Sequence, residues 1–536
     1  QAIHDEFELT GAIYSTYLMP KSAVDGVADQ VMNLTSVLEK HAEFMEDTKE
    51  YEGGFKKNQF YDYSTNTSKP TSNFMFSTKA SYLAGVYAST HIKGSHKVID
   101  IAETWEKTLS KSWIDLASPS GLRKKGKLFF GNKGNFIMTE ELLEAIGDEE
   151  VAEIMALFDE GAKTKKYKDF FISYQSKIVT MCDKQFCFHI VNKIQRGGGR
   201  EIFAMDVVTK TLQQPLEAMF RAMCECFDNE FISVPSSQRL HKIHSKLQGM
   251  SFEHFLLATL DCKRWAPQSN LNKYVSFVLG LADVLPENFV KYFLGFMHHY
   301  YDKEVHINQK VFRSYFSGSQ HDENLKFFDV SEYGDSYCFN MPYSFMMGIF
   351  NFLSSLMHVA NIMMANDLIQ DQLSKKAGTW FKAVIIAHSD DSGGYFCASD
   401  EETLILGILW YECILSLCNH NLSLKKCVLS KNYLEFLSIL YINKKLLPLI
   451  NKFVCNLEIS TTDKGPSSDL LKSIDKSLEL TTYGGTFEES FLKKRLYGAC
   501  ILDFYKIPRF DDLPAHALGM PSCHPLIDLL MGTSSD

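Results

Sequence analysis

The chain has 536 residues, 45% hydrophobic and 22% charged, which is ordinary for a globular protein with room for about two to four domains or lobes. With 40 Phe against only 14 Pro, packed and mainly helical structure is favoured over disorder. A net charge of −10 excludes a globally basic nucleic-acid binder, so any polyanion must be held in a locally basic channel.

In chain order, residues 1–175 read as mostly helical, with a Ser/Thr/Asn-rich loop at 64–78. Leu122-Arg123-Lys124-Lys125-Gly126-Lys127 is a basic loop before the apolar pair Phe129-Phe130. It reads first as a solvated turn and second as an RNA-backbone contact through Arg123, Lys124 and Lys125. Lys163, Lys165, Lys166 and Lys168 form a similar run.

Residues 186–190 read as a strand that leads into Lys193-Ile194-Gln195-Arg196-Gly197-Gly198-Gly199-Arg200-Glu201-Ile202-Phe203. Two strands around a triple-Gly loop make a flexible hairpin. Arg196 and Arg200 offer planar guanidinium groups suited to a triphosphate, and the glycines let the backbone approach a ligand closely. A helical segment follows at 212–227. Residues 255–260 read as a strand that ends at Asp261-Cys262-Lys263-Arg264-Trp265. The most apolar long stretch, 343–365, contains Asn351, Ser354, Ser355, His358 and Asn361, which weighs against a membrane span.

The richest segment is Ile386-Ala387-His388-Ser389-Asp390-Asp391-Ser392-Gly393-Gly394-Tyr395-Phe396. An apolar strand at 384–387 ends in two adjacent carboxylates. Gly393 and Gly394 then read as the turn, and Tyr395-Phe396 as the return strand. Neighbouring carboxylates repel unless a cation sits beside them, and hard oxygen ligands at a strand end suit Mg²⁺ or Mn²⁺. His388 reads as a core histidine. Ser399-Asp400-Glu401-Glu402 has the capping-box form with Ser399 as cap, and 404–417 is its helix. Beyond Lys444 the pattern is helical again, interrupted by a polar loop at 460–468.

The 13 cysteines are scattered and contain no Cys-x-x-Cys pair. Cys413, Cys418, His420 and Cys427 have poor spacing for zinc, so buried free thiols in a reducing compartment are the better reading. The chain begins at Gln1 without a Met or a signal peptide, which reads as part of something longer or as a processed chain.

Two apolar strands thus end in carboxylates, Asp261 and Asp390. If they are neighbours in one sheet, the two acids share a pair of metal ions that clamp the attacking and leaving oxygens of a phosphoryl displacement. Asp391 tunes or supplements that site.

The ordered series of segments resembles the motifs of a viral RNA-dependent RNA polymerase, most closely the large (L) protein of bunyavirus-type segmented negative-strand viruses. The stretch from Lys193 to Ile202 is similar to the fingers motif that ends in Arg-Glu-Ile and binds nucleoside triphosphates. Asp261-Cys262-Lys263-Arg264-Trp265 is similar to the first palm motif. Gly348-Ile349-Phe350-Asn351-Phe352-Leu353-Ser354-Ser355 is similar to the Gly-x5-Ser-Ser motif, and Ser389-Asp390-Asp391 to the catalytic hairpin. Lys425-Lys426 sits where the fourth palm motif carries lysine, and Glu435-Phe436-Leu437-Ser438 is similar to the Glu-x-x-Ser motif. Met347 departs from the Gln usual in bunyavirus-type enzymes. Met346-Met347-Gly348 followed by Phe350-Asn351 is more similar to the influenza-type catalytic subunit.

The resemblance spans about residues 184–440 and implies an α+β, mainly helical, right-handed polymerase with fingers, a small antiparallel palm sheet and a thumb. Its expected parts are a helical fingers-associated region at 1–175, fingers at 176–235, a palm at 236–445 with a fingers insertion at about 285–342, and a thumb-like region at 446–536. It implies template-directed RNA synthesis from ribonucleoside triphosphates with Mg²⁺ or Mn²⁺, for viral replication and transcription.

Asp261, Asp390, Asp391 and Glu435 are the implied metal ligands, and Lys425 or Lys426 the general acid for pyrophosphate. Lys193, Arg196, Arg200, Gly348, Asn351 and Ser355 face the nucleotide in this reading, and Arg264 joins Arg123, Lys124 and Lys125 on the RNA. The implied partners are template and product RNA, the remainder of a larger viral polymerase and nucleoprotein-coated RNA, with no membrane span. The implied location is host cytoplasm and virion, or the nucleus on the influenza-like reading. A reverse transcriptase and a non-catalytic scaffold subunit are the competing readings. Asp-x-x-Arg-Trp and Glu-x-x-Ser weigh against the first, and the intact acids against the second.

Overall fold

The computed structural model describes residues 76–95, 100–109, 123–124, 127–128, 186–193, 200–205 and 207–248. It also describes 252–308 without 264, 267–268 and 302; 329–330 and 336–340; 345–447 without 347, 424, 425, 438 and 444; and 485–507, with isolated positions between 465 and 481. Arg196, Arg264, Lys125, Lys425 and the run at 163–168 lie outside the described residues, as do the side chains of Lys193, Arg200, Arg123 and Lys124. The fold mixes helices with small sheets, and Cα proximity divides it into two units.

The larger unit comprises residues 21–234 and 251–428. At its centre, strand Asp391–Ala398 lies between His254–Asp261 and Phe381–His388, antiparallel to both. It is buried from Ser392 onward, as a central strand covered on both faces should be. The expected strands at 255–260 and 384–387 are both present, each longer than the apolar run alone.

The turn differs from expectation. Gly393 and Gly394 lie inside the outgoing strand, and Ser389-Asp390 form a two-residue turn between His388 and Asp391. Gly394 serves close packing instead: its φ is +152°, and an added Cβ would lie 1.9 Å from the Val384 carbonyl oxygen. His388 is half-buried at the strand end opposite Asp391, not in the core.

Helix Asn351–Leu373 backs this sheet and is buried almost all round from 353 to 365, while most of 367–372 is exposed. That explains its weak amphipathic pattern, because a helix enclosed by protein needs no polar face. Its polar residues Ser354, Ser355, His358 and Asn361 are therefore buried too. Helix Glu401–Leu417 follows the hairpin. Asp400, rather than Ser399, caps it: the Asp400 carboxylate accepts from the Thr403 amide at 2.8 Å and from the Ser399 hydroxyl at 2.7 Å. The charged side chain wins the cap because it also meets the positive end of the helix dipole. Among the described residues no helix is long and apolar enough to cross a membrane.

A second sheet in this unit runs Arg200–Met205, Cys187–Lys193, Glu304–Asn308, Ser336–Asn340, Asp329–Val330. Its first two strands form the expected hairpin, with Lys193 opposite Arg200 at the end nearest the connecting segment. The following helix is Val207–Cys224, which starts earlier than the expected 212 because the β-branched run at 207–209 hides its beginning. Arg123–Lys124 and Lys127–Leu128 pair as a two-residue ladder.

The smaller unit comprises 1–20, 235–250 and 429–536. It contains helix Ser236–Leu247, the three-stranded sheet Tyr433–Phe436, Ile439–Ile442 and Lys445–Leu447, and helix Phe487–Phe504. Residues 445–447 are thus strand where helix was expected. Ile439–Ile442 is buried on both faces, which a short apolar run alone cannot distinguish from helix. Thr486 and Glu489 form a complete capping box on the last helix.

Candidate active site

The sheet brings the two strand-end acids together. Asp391 is the ladder partner of Asp261, and Asp390 occupies the turn just before it. Sequence spacing puts Asp261 and Asp390 far apart along the chain; antiparallel pairing in register puts their strand ends side by side. All three acids are half-buried. One Asp261 oxygen, Oδ1, is buried without a hydrogen-bond partner, while Oδ2 accepts from the Lys426 ammonium at 2.9 Å.

An orphaned carboxylate oxygen is expensive to bury, and a cation relieves it. The donor set is all oxygen at a sheet edge, which fits Mg²⁺ or Mn²⁺. Asp261, Asp390 and Asp391 are the residues here that would hold such an ion.

The backbone around Asp261 is also fixed. Its carbonyl accepts from the Ser423 amide at 2.8 Å and from the Cys427 thiol at 3.5 Å, so the loop that carries Lys426 is tied to the acid it faces. Lys426 itself is exposed.

The turn is held from the helix behind it. Ser389 has φ +58°, a conformation that L-residues visit at a cost. Its N–H donates to the Ser355 hydroxyl at 3.3 Å, and its carbonyl accepts from His358 Nδ1 at 2.6 Å. Ser355 and His358 are one helical turn apart on Asn351–Leu373, so a single helix face secures both backbone groups of one residue. Ser355 is fully buried and engaged here.

Gly348 is exposed at φ +84°, just before the helix, and Asn351 opens the helix with its amide on the Gly348 carbonyl at 3.4 Å. The helix start is fixed from below by Glu217, whose Oε1 accepts from the Phe352 N–H at 3.0 Å. Burial lifts the Glu217 carboxyl to about 7.

A polar cluster under the turn was not singled out by sequence reasoning. Trp265 stacks on His420 at 4.8 Å and lies 5.1 Å from His358, and Asn361 reaches His420 Nδ1 at 3.1 Å. The Lys273 ammonium lies 5.2 Å over the Trp265 ring and donates to the Asn419 carbonyl at 3.4 Å. Burial brings Lys273 down to about 7 and His358 down to about 4, so the histidine is neutral in the fold. The signal in the sequence was the row Ser354, Ser355, His358, Asn361 on an otherwise apolar helix, which reads as protection against membrane insertion until the sheet is seen behind it.

Glu435 lies on strand Tyr433–Phe436 of the smaller unit, and its Oε2 accepts from the Tyr433 hydroxyl at 2.8 Å. Elsewhere, Cys187, Glu304 and His306 lie close enough to share an ion, though the His306 ring already meets Glu304 at 2.6 Å.

Residues 302–460 match the family model for the influenza RNA-dependent RNA polymerase subunit PB1. That stretch holds the Gly348 motif, the acidic hairpin, Lys426 and Glu435. The chain is 24% identical over 382 residues to the RNA-directed RNA polymerase L of European mountain ash ringspot-associated virus, covering 65% of this chain and 16% of that relative. It is 25% identical over 201 residues to the RNA-directed RNA polymerase L of Rice stripe virus, covering 36% of this chain and 6% of that relative. The chain therefore spans a small part of the length of these relatives. Both comparisons bear out the resemblance to the RNA polymerases of segmented negative-strand RNA viruses.

Proposed function

We propose that this chain, related to the RNA polymerases of segmented negative-strand RNA viruses, carries the nucleotidyl-transfer site of such an enzyme. The sheet with Asp261, Asp390 and Asp391 is the palm, the sheet that pairs Lys193 with Arg200 belongs to the fingers, and the helix-bearing end of the chain belongs to the thumb. The observation that carries this reading is the ladder pairing of Asp261 with Asp391, with Asp390 in the adjoining turn.

Bound Mg²⁺ or Mn²⁺ supplies charge stabilisation to the attacking and leaving oxygens. Asp261 and Asp390 hold the site, and Asp391 adds charge across the ladder. Lys426, on Asp261, is placed to give a proton to departing pyrophosphate, with Lys425 as its neighbour. Arg200, with Lys193 and Arg196, receives the triphosphate through charge-assisted bonds. Gly348 and Asn351 stand at the exposed end of the supporting helix, where a nucleotide sugar would be read. Arg123, Lys124, Lys125 and Arg264 remain the RNA-backbone residues of this reading, so RNA binding should weaken steeply with salt.

Primer extension tests it. The protein that carries this chain, expressed whole, should extend an RNA primer on an RNA template with ribonucleotides and Mn²⁺. Extension with deoxyribonucleotides in preference would instead mark a reverse transcriptase.

A further inference from the structure

We propose that Glu230 is a positioning residue of this site: it fixes the Ser355 hydroxyl, which holds the Ser389 backbone and so sets the Asp390–Asp391 turn. The inference rests on the polymerase reading and adds a residue to it.

Glu230 is fully buried. Its two oxygens take four donors. Oε1 accepts from the Ile232 amide at 2.7 Å and the Ser355 hydroxyl at 2.5 Å; Oε2 accepts from the Ser233 amide at 2.9 Å and the Ser233 hydroxyl at 2.6 Å. Ser355 has a single hydroxyl proton. An acceptor-only carboxylate draws that proton to itself, which turns the Ser355 lone pairs toward the Ser389 N–H, 3.3 Å away. The relay therefore runs from Ser389 to Ser355 to Glu230, each step with one donor and one acceptor.

The same segment also grips the incoming strand through its backbone. Phe231 N–H donates to the Ala387 carbonyl at 2.8 Å, and Ala387 N–H donates to the Asn229 carbonyl at 2.9 Å. Glu230 thus sits where backbone and side chain together reach the last residues before the turn. A neutral glutamine would not serve equally. Its amide would point two donors either at the Ile232 amide and the Ser355 hydroxyl or at the Ser233 amide, which donate already. This explains a charged residue in a fully buried position. The sequence carries only a faint sign of it, an acid inside Asn229-Glu230-Phe231-Ile232-Ser233.

The test uses the whole protein and three variants, Glu230→Gln, Ser355→Ala and the double. Folding is checked by thermal unfolding, and Mn²⁺ dependence, kcat and nucleotide KM are measured in primer extension. Each single variant should raise the Mn²⁺ concentration for half-maximal activity and lower kcat by about tenfold, the scale of one lost charge-assisted hydrogen bond. Nucleotide KM should stay within about twofold, and the double should be no worse than the more severe single, because both act through one relay. If Glu230→Gln does not fold, Ser355→Ala, which removes one oxygen, decides the question. Folded variants with the wild-type Mn²⁺ midpoint and kcat would overturn the assignment, as would a double whose loss is the product of the two singles. A wild-type protein that binds Mn²⁺ but extends no primer would overturn the polymerase reading instead, and the relay would then be judged by Mn²⁺ affinity alone.

Discussion

Asp391 on the outgoing strand of the hairpin is the direct ladder partner of Asp261, a residue 130 positions earlier that ends a separate strand. Carboxylates are rarely placed opposite one another in a sheet, because like charges across a ladder destabilise it. Here Lys426 compensates part of that charge, and one Asp261 oxygen is left without a hydrogen-bond partner. The pairing makes chemical sense as a cation site, and the following expectations derive from it.

Lys426 should matter through its proton as well as its charge. Lys426→Ala should lower kcat by about 10²–10⁴-fold if it is the general acid. Lys426→Arg keeps the charge beside Asp261 but gives up a proton far less readily. Single-turnover incorporation decides: recovery with Arg assigns Lys426 to holding Asp261, and continued loss assigns it to proton transfer.

Arg200→Ala should act on substrate binding. A charge-assisted contact to a triphosphate is worth about 1.5–3 kcal/mol, so the KM for ribonucleotides should rise roughly ten- to a hundredfold. A change in thermal stability with KM unaltered would make Arg200 a structural residue of its hairpin.

Gly394→Ala should destabilise the hairpin. The new methyl would meet the Val384 carbonyl at 1.9 Å, at a positive φ that alanine avoids. Overpacking of this kind costs about 1–3 kcal/mol. Denaturant unfolding should show it, and the same change at exposed Gly348 should be read separately, since open space surrounds a Cβ there.

Acid should destabilise the fold through its buried histidines. His358 is held neutral by burial, its pKa lowered from 6.5 to about 4, and His420 is lowered in the same direction. Between those values the unfolded chain binds the proton and the folded chain does not. Stability is therefore complete above about pH 6.5 and is lost as pH falls toward 4, by at most roughly 3 kcal/mol for His358. Unfolding measured across that window should show the slope. His358→Asn, which keeps a donor for the Ser389 carbonyl, should flatten it.

Much of this site was legible from residue order because its chemistry sits on short, strongly apolar strands. The acids of Asp261 and Asp390 mark strand ends, and burial drives those strands into one sheet. The turn differs because glycines suggest turns, while Gly394 is needed inside a strand where two backbones come close. The true turn uses Ser389, a poor residue for positive φ, and the support that permits this comes from Ser355 and His358 on a distant helix. The nucleotide-facing reading of Ser355 rests on motif spacing, which does not say which way a buried helix faces. Glu230 left almost no local sign, since the two contacts that tie it to the turn, to Ser355 and to Ala387, lie on other elements. The strand at 445–447 reads as helix because a lysine and two leucines carry no period of their own.

The most direct measurement compares Asp390→Ala with the wild-type protein in RNA-templated extension of an RNA primer with Mn²⁺, with folding and RNA binding followed in parallel. The expected result is complete loss of incorporation by a variant that folds and binds RNA like the wild type, because no other group can replace a metal-holding carboxylate in that turn. Template-directed synthesis retained by Asp390→Ala would contradict the account.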